Sequence, residues 1–175
     1  MGLRACRCPG EQYQARFTDP LPLLQTQEGM VIIQPASHLL RGIEIDLQSA
    51  IPWEIEFRGP VTNLHADLSG LRLRSIDILG DASQITFYLP RPKGAVFLYI
   101  AGGIRNAAIY RPLGVGNRVH TVGGIEECRF DQQLFHSIRA ETHLESAVFA
   151  PEDGYYDLTI SGSVRSLTVA EQPDR

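Results

Sequence analysis

Glycine recurs in this chain at intervals of about 21 residues, and the residues that follow each one repeat a fixed pattern. With Gly59, Gly80, Gly102, Gly123 and Gly162 as position zero, position +2 reads Val61, Ala82, Ile104, Ile125 and Val164. Position +5 reads Leu64, Ile85, Ala107, Cys128 and Leu167, and position +7 reads Ala66, Phe87, Ile109, Phe130 and Val169. Every one is apolar. The first three intervals are 21, 22 and 21 residues and the last is 39, close to two periods. Thr142 fills that gap, with Leu144, Ala147 and Phe149 in register, and His38 opens a further copy with Leu40, Ile43 and Ile45. Seven copies of about 20 residues result.

Positions +5 and +7 lie on one face of a strand, whereas +2 is an odd number of residues away, so the chain bends between them. Glycine suits a corner because it accepts positive φ and lets neighbouring backbones approach closely. Each copy carries a second alternating run, such as Trp53, Ile55 and Phe57 or Val96, Leu98 and Ile100. Turn signals separate the runs, among them Pro90-Arg91-Pro92-Lys93-Gly94 and Arg111-Pro112-Leu113-Gly114. No segment sustains a 3.6-residue period, which predicts very little helix. A unit this short cannot bury its own apolar face, but stacked units can. The expected fold is therefore an all-β, single-domain β-solenoid or β-helix-like stack of about seven repeats. Each strand is expected to pair with its counterpart one copy along, which sets Arg105 above Glu126 at +3. An antiparallel sandwich would also supply many short strands, but it would not require one register across seven copies. Residues 1–18 read as an N-terminal extension or cap, 19–170 as the solenoid and 171–175 as a polar tail.

The chain of 175 residues is 43% hydrophobic with a formal charge of −4, which argues against disorder and against a basic field for nucleic acid. No apolar run approaches the roughly 20 residues of a membrane helix, and the first 12 residues lack the apolar core of a secretory signal. The chain as given thus reads as cytoplasmic. Cys6 and Cys8 form a lone Cys-x-Cys pair, far from Cys128, which speaks against a disulfide framework and against a zinc site.

The run Pro52-Trp53-Glu54-Ile55-Glu56-Phe57-Arg58-Gly59, then Asp67-Leu68-Ser69-Gly70-Leu71-Arg72-Leu73 and Tyr88-Leu89-Pro90-Arg91-Pro92-Lys93-Gly94, resembles the toastrack domain family. These are β-solenoid-like bacterial domains related to the C-terminal domains of cell-wall-active antibiotic response (LiaF-type) proteins. The resemblance continues through Ile100-Ala101-Gly102-Gly103, Val122-Gly123-Gly124, the pair Tyr155-Tyr156 and Asp157-Leu158-Thr159-Ile160-Ser161-Gly162, and covers residues 45–170. It implies a sensing, docking or scaffold module in envelope-stress systems, with no catalytic residues to carry over. The chain departs from the family at Gly59-Pro60, Gly80-Asp81 and Gly162-Ser163, where a second small residue is common, and over 135–145.

Enzymes built on β-solenoids place carboxylates together on one outer ladder. Asp46 and Asp67 both occupy +8, which sets them on adjacent coils about 5 Å apart. That spacing suits an acid and a base, and it supports an alternative reading as a carbohydrate-active enzyme or carbohydrate binder. Interruption of the +8 ladder by Tyr88, Tyr110, Ala150 and Ala170 argues that it is simply where strands leave for their turns. The five histidines follow no common offset, so no metal is expected, and no motif implies a cofactor. Arg91, Lys93, Arg111 and Arg118 cluster at successive turns beside outward Tyr88 and Tyr110, and these six are the candidate contact patch. The expected function is a non-enzymatic scaffold or docking module. Its partner is a protein, membrane-associated by resemblance, with no nucleic acid and no membrane insertion. Self-assembly through the open solenoid ends is a third reading, with residues 1–18 and 171–175 as the candidate caps.

Overall fold

The computed structural model describes residues 2–6, 13–18, 23–27, 30–34 and 41–172. In chain order the strands are β1 (Gly2–Cys6), β2 (Tyr13–Thr18), β3 (Leu23–Gln27), β4 (Met30–Gln34), β5 (Arg41–Gln48), β6 (Pro52–Phe57), β7 (Val61–Asp67), β8 (Arg72–Ile78) and β9 (Ala82–Tyr88). They continue as β10 (Ala95–Ile100), β11 (Ile104–Arg111), β12 (Gly116–Thr121), β13 (Ile125–Phe130), β14 (Gln133–Phe135), β15 (Thr142–Glu145), β16 (Tyr155–Ile160) and β17 (Val164–Glu171). Among the described residues the helical content is one 3-10 turn, Pro151–Asp153, and no helix is long and apolar enough to cross a membrane. The fold is an all-β, solenoid-like single domain of two facing, mostly parallel sheets.

A coil is a strand of the second sheet, a corner and a strand of the first sheet. The first sheet runs β14-β13-β17-β11-β9-β7-β1-β5-β2 and the second β15-β12-β16-β10-β8-β6-β4-β3. This order corrects the expectation of strictly sequential stacking. The β16–β17 coil returns from the end of the stack and inserts between β10–β11 and β12–β13. Glu126 consequently pairs with Arg165, at 3.8 Å, and not with Arg105. The physical reason is that every copy offers the same inward rows at +5 and +7, so register alone does not distinguish a neighbour in sequence from one in space.

The ends differ from expectation too. The Thr142 copy is not a coil: β15 runs antiparallel to β12, Leu144 is only partly buried and Ala147 is exposed. The segment 1–18 is not a simple cap either, since β1 intercalates in parallel between β5 and β7, and only β2 lies at the edge. Antiparallel strands close both ends, β14 and β15 at one and β2 and β3 at the other. Of the polar tail, Gln172 donates from its backbone to Arg111 and from its side chain to Leu89, crossing inner coils. His38 and Leu40 lie outside the described residues, whereas Ile45 is buried in register with Leu3 and, beyond it, Ala66.

The bend that the odd spacing demanded has a definite site. Asn63 and Gln84, both at +4, adopt φ of 54° and 55°, so +3 and +4 both face outward and +5 returns to the core. Asparagine tolerates this left-handed backbone better than most residues. At position zero Gly59 also takes a positive φ, 98°, but the column of glycines as a whole serves a different need. A Cβ on Gly80 would lie 2.3 Å from the Gly59 carbonyl oxygen, on Gly102 2.1 Å from that of Gly80, on Gly162 2.1 Å from that of Gly102, and on Gly123 2.3 Å from that of Gly162. The five glycines form one column in the order 59, 80, 102, 162, 123, because the backbones of successive coils touch there.

Between the sheets the apolar rows fill a continuous core, with Phe57 and Phe87 meeting across it at 6.4 Å between ring centroids. Trp53 is fully buried and donates its indole N–H to the Gln48 carbonyl at 2.7 Å, so no polar atom of that ring is left unpaired. Cys128 sits at an inward +5 position, where burial pushes its thiol up to about 11. Cys6, at the end of β1, is disulfide-bonded, which the cysteine spacing did not lead one to expect.

Candidate functional site

Local irregularities in the second sheet create a basic cleft on its outward face. Trp53 pairs with Leu73 but Glu54 pairs with Ser75, so β8 carries one extra residue at Arg74, a bulge that leaves Arg74 and Ser75 both off the core before Ile76 returns to it. On the far side, the β9–β10 turn is held rigidly. Tyr156 donates its hydroxyl to the Pro90 carbonyl, Arg91 donates to the Leu113 carbonyl at 2.8 Å, and Pro92 is buried. Between turn and bulge lies a cleft of 590 Å³ lined by Arg72, Arg74, Arg91, Lys93, Glu54 and Phe97. Phe97 projects from β10 with 56% of its surface exposed, an unusual position for a phenylalanine. Arg74 lies 3.6 Å from Glu54, and Arg72 donates one N–H to the Ala50 carbonyl, which anchors it while leaving its other donors outward.

The structure divides the six residues of the expected contact patch. Arg91 and Lys93 belong to the cleft. Tyr88 and Tyr110 stack on each other, 5.2 Å between ring centroids, on the outward face of the opposite sheet, with His65 tilted against Tyr88 at 5.4 Å. Arg111 is not a surface residue: its side chain is 2% exposed, 2.8 Å from Asp131 and 3.9 Å from Glu171, and its Nε donates to Asn117 Oδ1. Burial raises the Asp131 carboxyl, with Glu171 adding to the rise and Arg111 opposing it. Arg118 pairs with Asp157 and packs over the rings of Phe149 and Tyr155. The place of Arg111 before a turn suggested a surface residue, but the signal for an inward position was available in Leu47, Leu68 and Leu89, which share its +9 offset and are buried.

Asp46 and Asp67 are likewise not adjacent. Strand β1 runs between their strands, and Arg4 stands opposite both, donating to Asp46 at 2.5 Å. A cation therefore occupies the place where a facing carboxylate pair was expected. Sequence reasoning missed a different in-register pair, Glu56 and Asp77 on β6 and β8, with Glu54 alongside. The alternation in Trp53-Glu54-Ile55-Glu56-Phe57 was the available signal. Burial chiefly, and the charges of Glu56 and Glu54, push the Asp77 carboxyl above its usual range.

A raised carboxyl pKa means that the folded state favours the protonated form. Stability is thus greatest below the unfolded-state value, about 3.9, and is lost as pH rises through the raised value. We expect Asp77→Asn to raise the melting temperature at pH 7 and to leave it unchanged at about pH 3. A lower melting temperature at pH 7 would contradict this assignment. Among the described residues, no three His, Cys, Asp or Glu side chains are grouped to hold a metal ion.

The chain matches no protein-family model and no curated protein. Its fold is similar to the crystal structure of a "putative cell adhesion protein" from Clostridium sporogenes, with a TM-score of 0.69 over 98% of this chain and 88% of that one, at 16% identity. At that identity the likeness concerns the fold.

Proposed function

We propose that this chain is a non-enzymatic docking module of the bacterial cell envelope, a toastrack-type scaffold that presents sheet faces to a partner. The observation that carries this reading is the filled stack: one core runs from cap to cap, and the buried Arg111, with the partly exposed Asp131 and Glu171, joins three coils to one another. Two further observations support it. Cys6 is disulfide-bonded, and disulfides persist chiefly in oxidising compartments, which favours an extracytoplasmic setting over the cytoplasmic one read from the sequence. The fold it shares with the clostridial protein is one found in a protein described in terms of adhesion. The competing reading, carbohydrate chemistry at Asp46 and Asp67, is disfavoured by Arg4 standing between their strands.

Cross-linking in intact source cells tests the proposal. The chain is expected in the envelope fraction, joined to envelope proteins or wall polymers. Recovery only with soluble cytosolic enzymes would overturn it.

A further inference from the structure

The cleft between the β9–β10 turn and the β8 bulge combines three kinds of group that one ligand class satisfies together. Arg72, Arg74, Arg91 and Lys93 supply four cations against one lining carboxylate, Glu54, on a chain whose net charge is −4. The local field therefore runs against the global one. Phe97 offers an exposed ring face, whose negative quadrupole attracts C–H edges. Glu54 and Ser75 add acceptors that a ligand's hydroxyl groups can donate to.

An extended polyanion or an anionic membrane would overrun the cleft along β6 and β8 and meet the in-register carboxylates Glu56 and Asp77. The occupant is consequently short, anionic, hydroxyl-rich and partly apolar. The volume of 590 Å³ lies within the usual range of small-ligand sites.

From this, and resting on the docking reading above, we propose that the cleft binds a short acidic saccharide. A sugar ring packs on Phe97 while its carboxylates lie among Arg72, Arg74, Arg91 and Lys93 and its hydroxyl groups donate to Glu54. An acidic glycan of the cell surface is the partner that this chemistry fits.

Calorimetric titration of the full chain with a uronic-acid trisaccharide provides the test, alongside the neutral trisaccharide of the same linkage, an oligoglutamate peptide and vesicles of anionic phospholipid. The uronate is expected to bind most tightly, to weaken as salt rises from about 50 to about 300 mM, and to lose at least about tenfold in affinity in Arg72→Gln/Lys93→Gln and in Phe97→Ala. Arg165→Gln, on the other sheet, is expected to leave binding unchanged. Upfield shifts of the sugar ring protons on the unaltered protein report Phe97 stacking independently of how any variant folds. Absence of uronate binding, equal binding of the neutral sugar, tighter binding of peptide or vesicles, or insensitivity to both variants would overturn the proposal. If the uronate does not bind yet the chain still cross-links to the envelope, only this inference falls. If the trisaccharide is bound and cleaved, the saccharide site stands and the non-enzymatic reading fails.

Discussion

Gly162→Ala is expected to abolish cooperative folding or to cost more than about 3 kcal/mol, the upper end of what overpacking costs in protein cores. The added methyl would lie 2.1 Å from the Gly102 oxygen, 2.7 Å from its carbonyl carbon and 2.8 Å from the Ala101 oxygen. All three are backbone atoms. No rotamer change relieves such a contact, and moving the backbone breaks pairing on both sides of the inserted coil. Against a total stability of about 5–15 kcal/mol, that is a large share. Gly94→Ala is the control: its methyl would meet nothing within 4 Å, and the chain should unfold at the same urea concentration as the parent. Equal midpoints for Gly162→Ala and the parent would mean that the glycine column does not set the coil spacing.

The second large effect concerns Arg111. It stands at position +9, where Leu47, Leu68 and Leu89 are each fully buried, so by pattern alone Arg111→Leu should improve the core. The opposite is expected. Leucine there would leave Asp131 and Glu171 without their cation and Asn117 Oδ1 without its donor. Removing one partner of a fully buried ion pair costs about 3–5 kcal/mol, and the partial exposure of both carboxylates reduces this to about 2–3 kcal/mol. Arg111→Leu/Asp131→Asn/Glu171→Leu should recover only part of that loss, since an ion pair is often replaceable by apolar packing but the buried Asn117 Oδ1 stays without its donor. Urea midpoints distinguish the outcomes. A single variant as stable as the parent would show that the buried ions do not hold the returning coil in place.

The copies and their corners were legible because they rest on local rules: alternation puts +5 and +7 on one face, and glycine marks the place where coils meet. The Thr142 copy was a false member because Leu144 and Phe149 satisfy the spacing while β15 runs in the reverse direction. An apolar spacing carries no strand polarity. Asp46 and Asp67 keep their shared offset but not their adjacency, since β1 comes from outside the repeat and supplies Arg4 between them. The cleft was half legible: Arg91 and Lys93 were visible as turn cations and alternation faces Arg74 and Phe97 outward, whereas their gathering into one cleft needed the pairing of β8 with β10.

The sequence by itself determined that this protein is an all-β stack, because a repeating two-strand unit too small for its own core must bury its apolar face against copies of itself. Only the tertiary structure decided the order of the coils, the carboxylates that meet Arg111 and the position of β1. Those follow from contacts between residues distant in the chain, and copies with interchangeable inward rows leave that choice to the few positions, such as +9, where they differ.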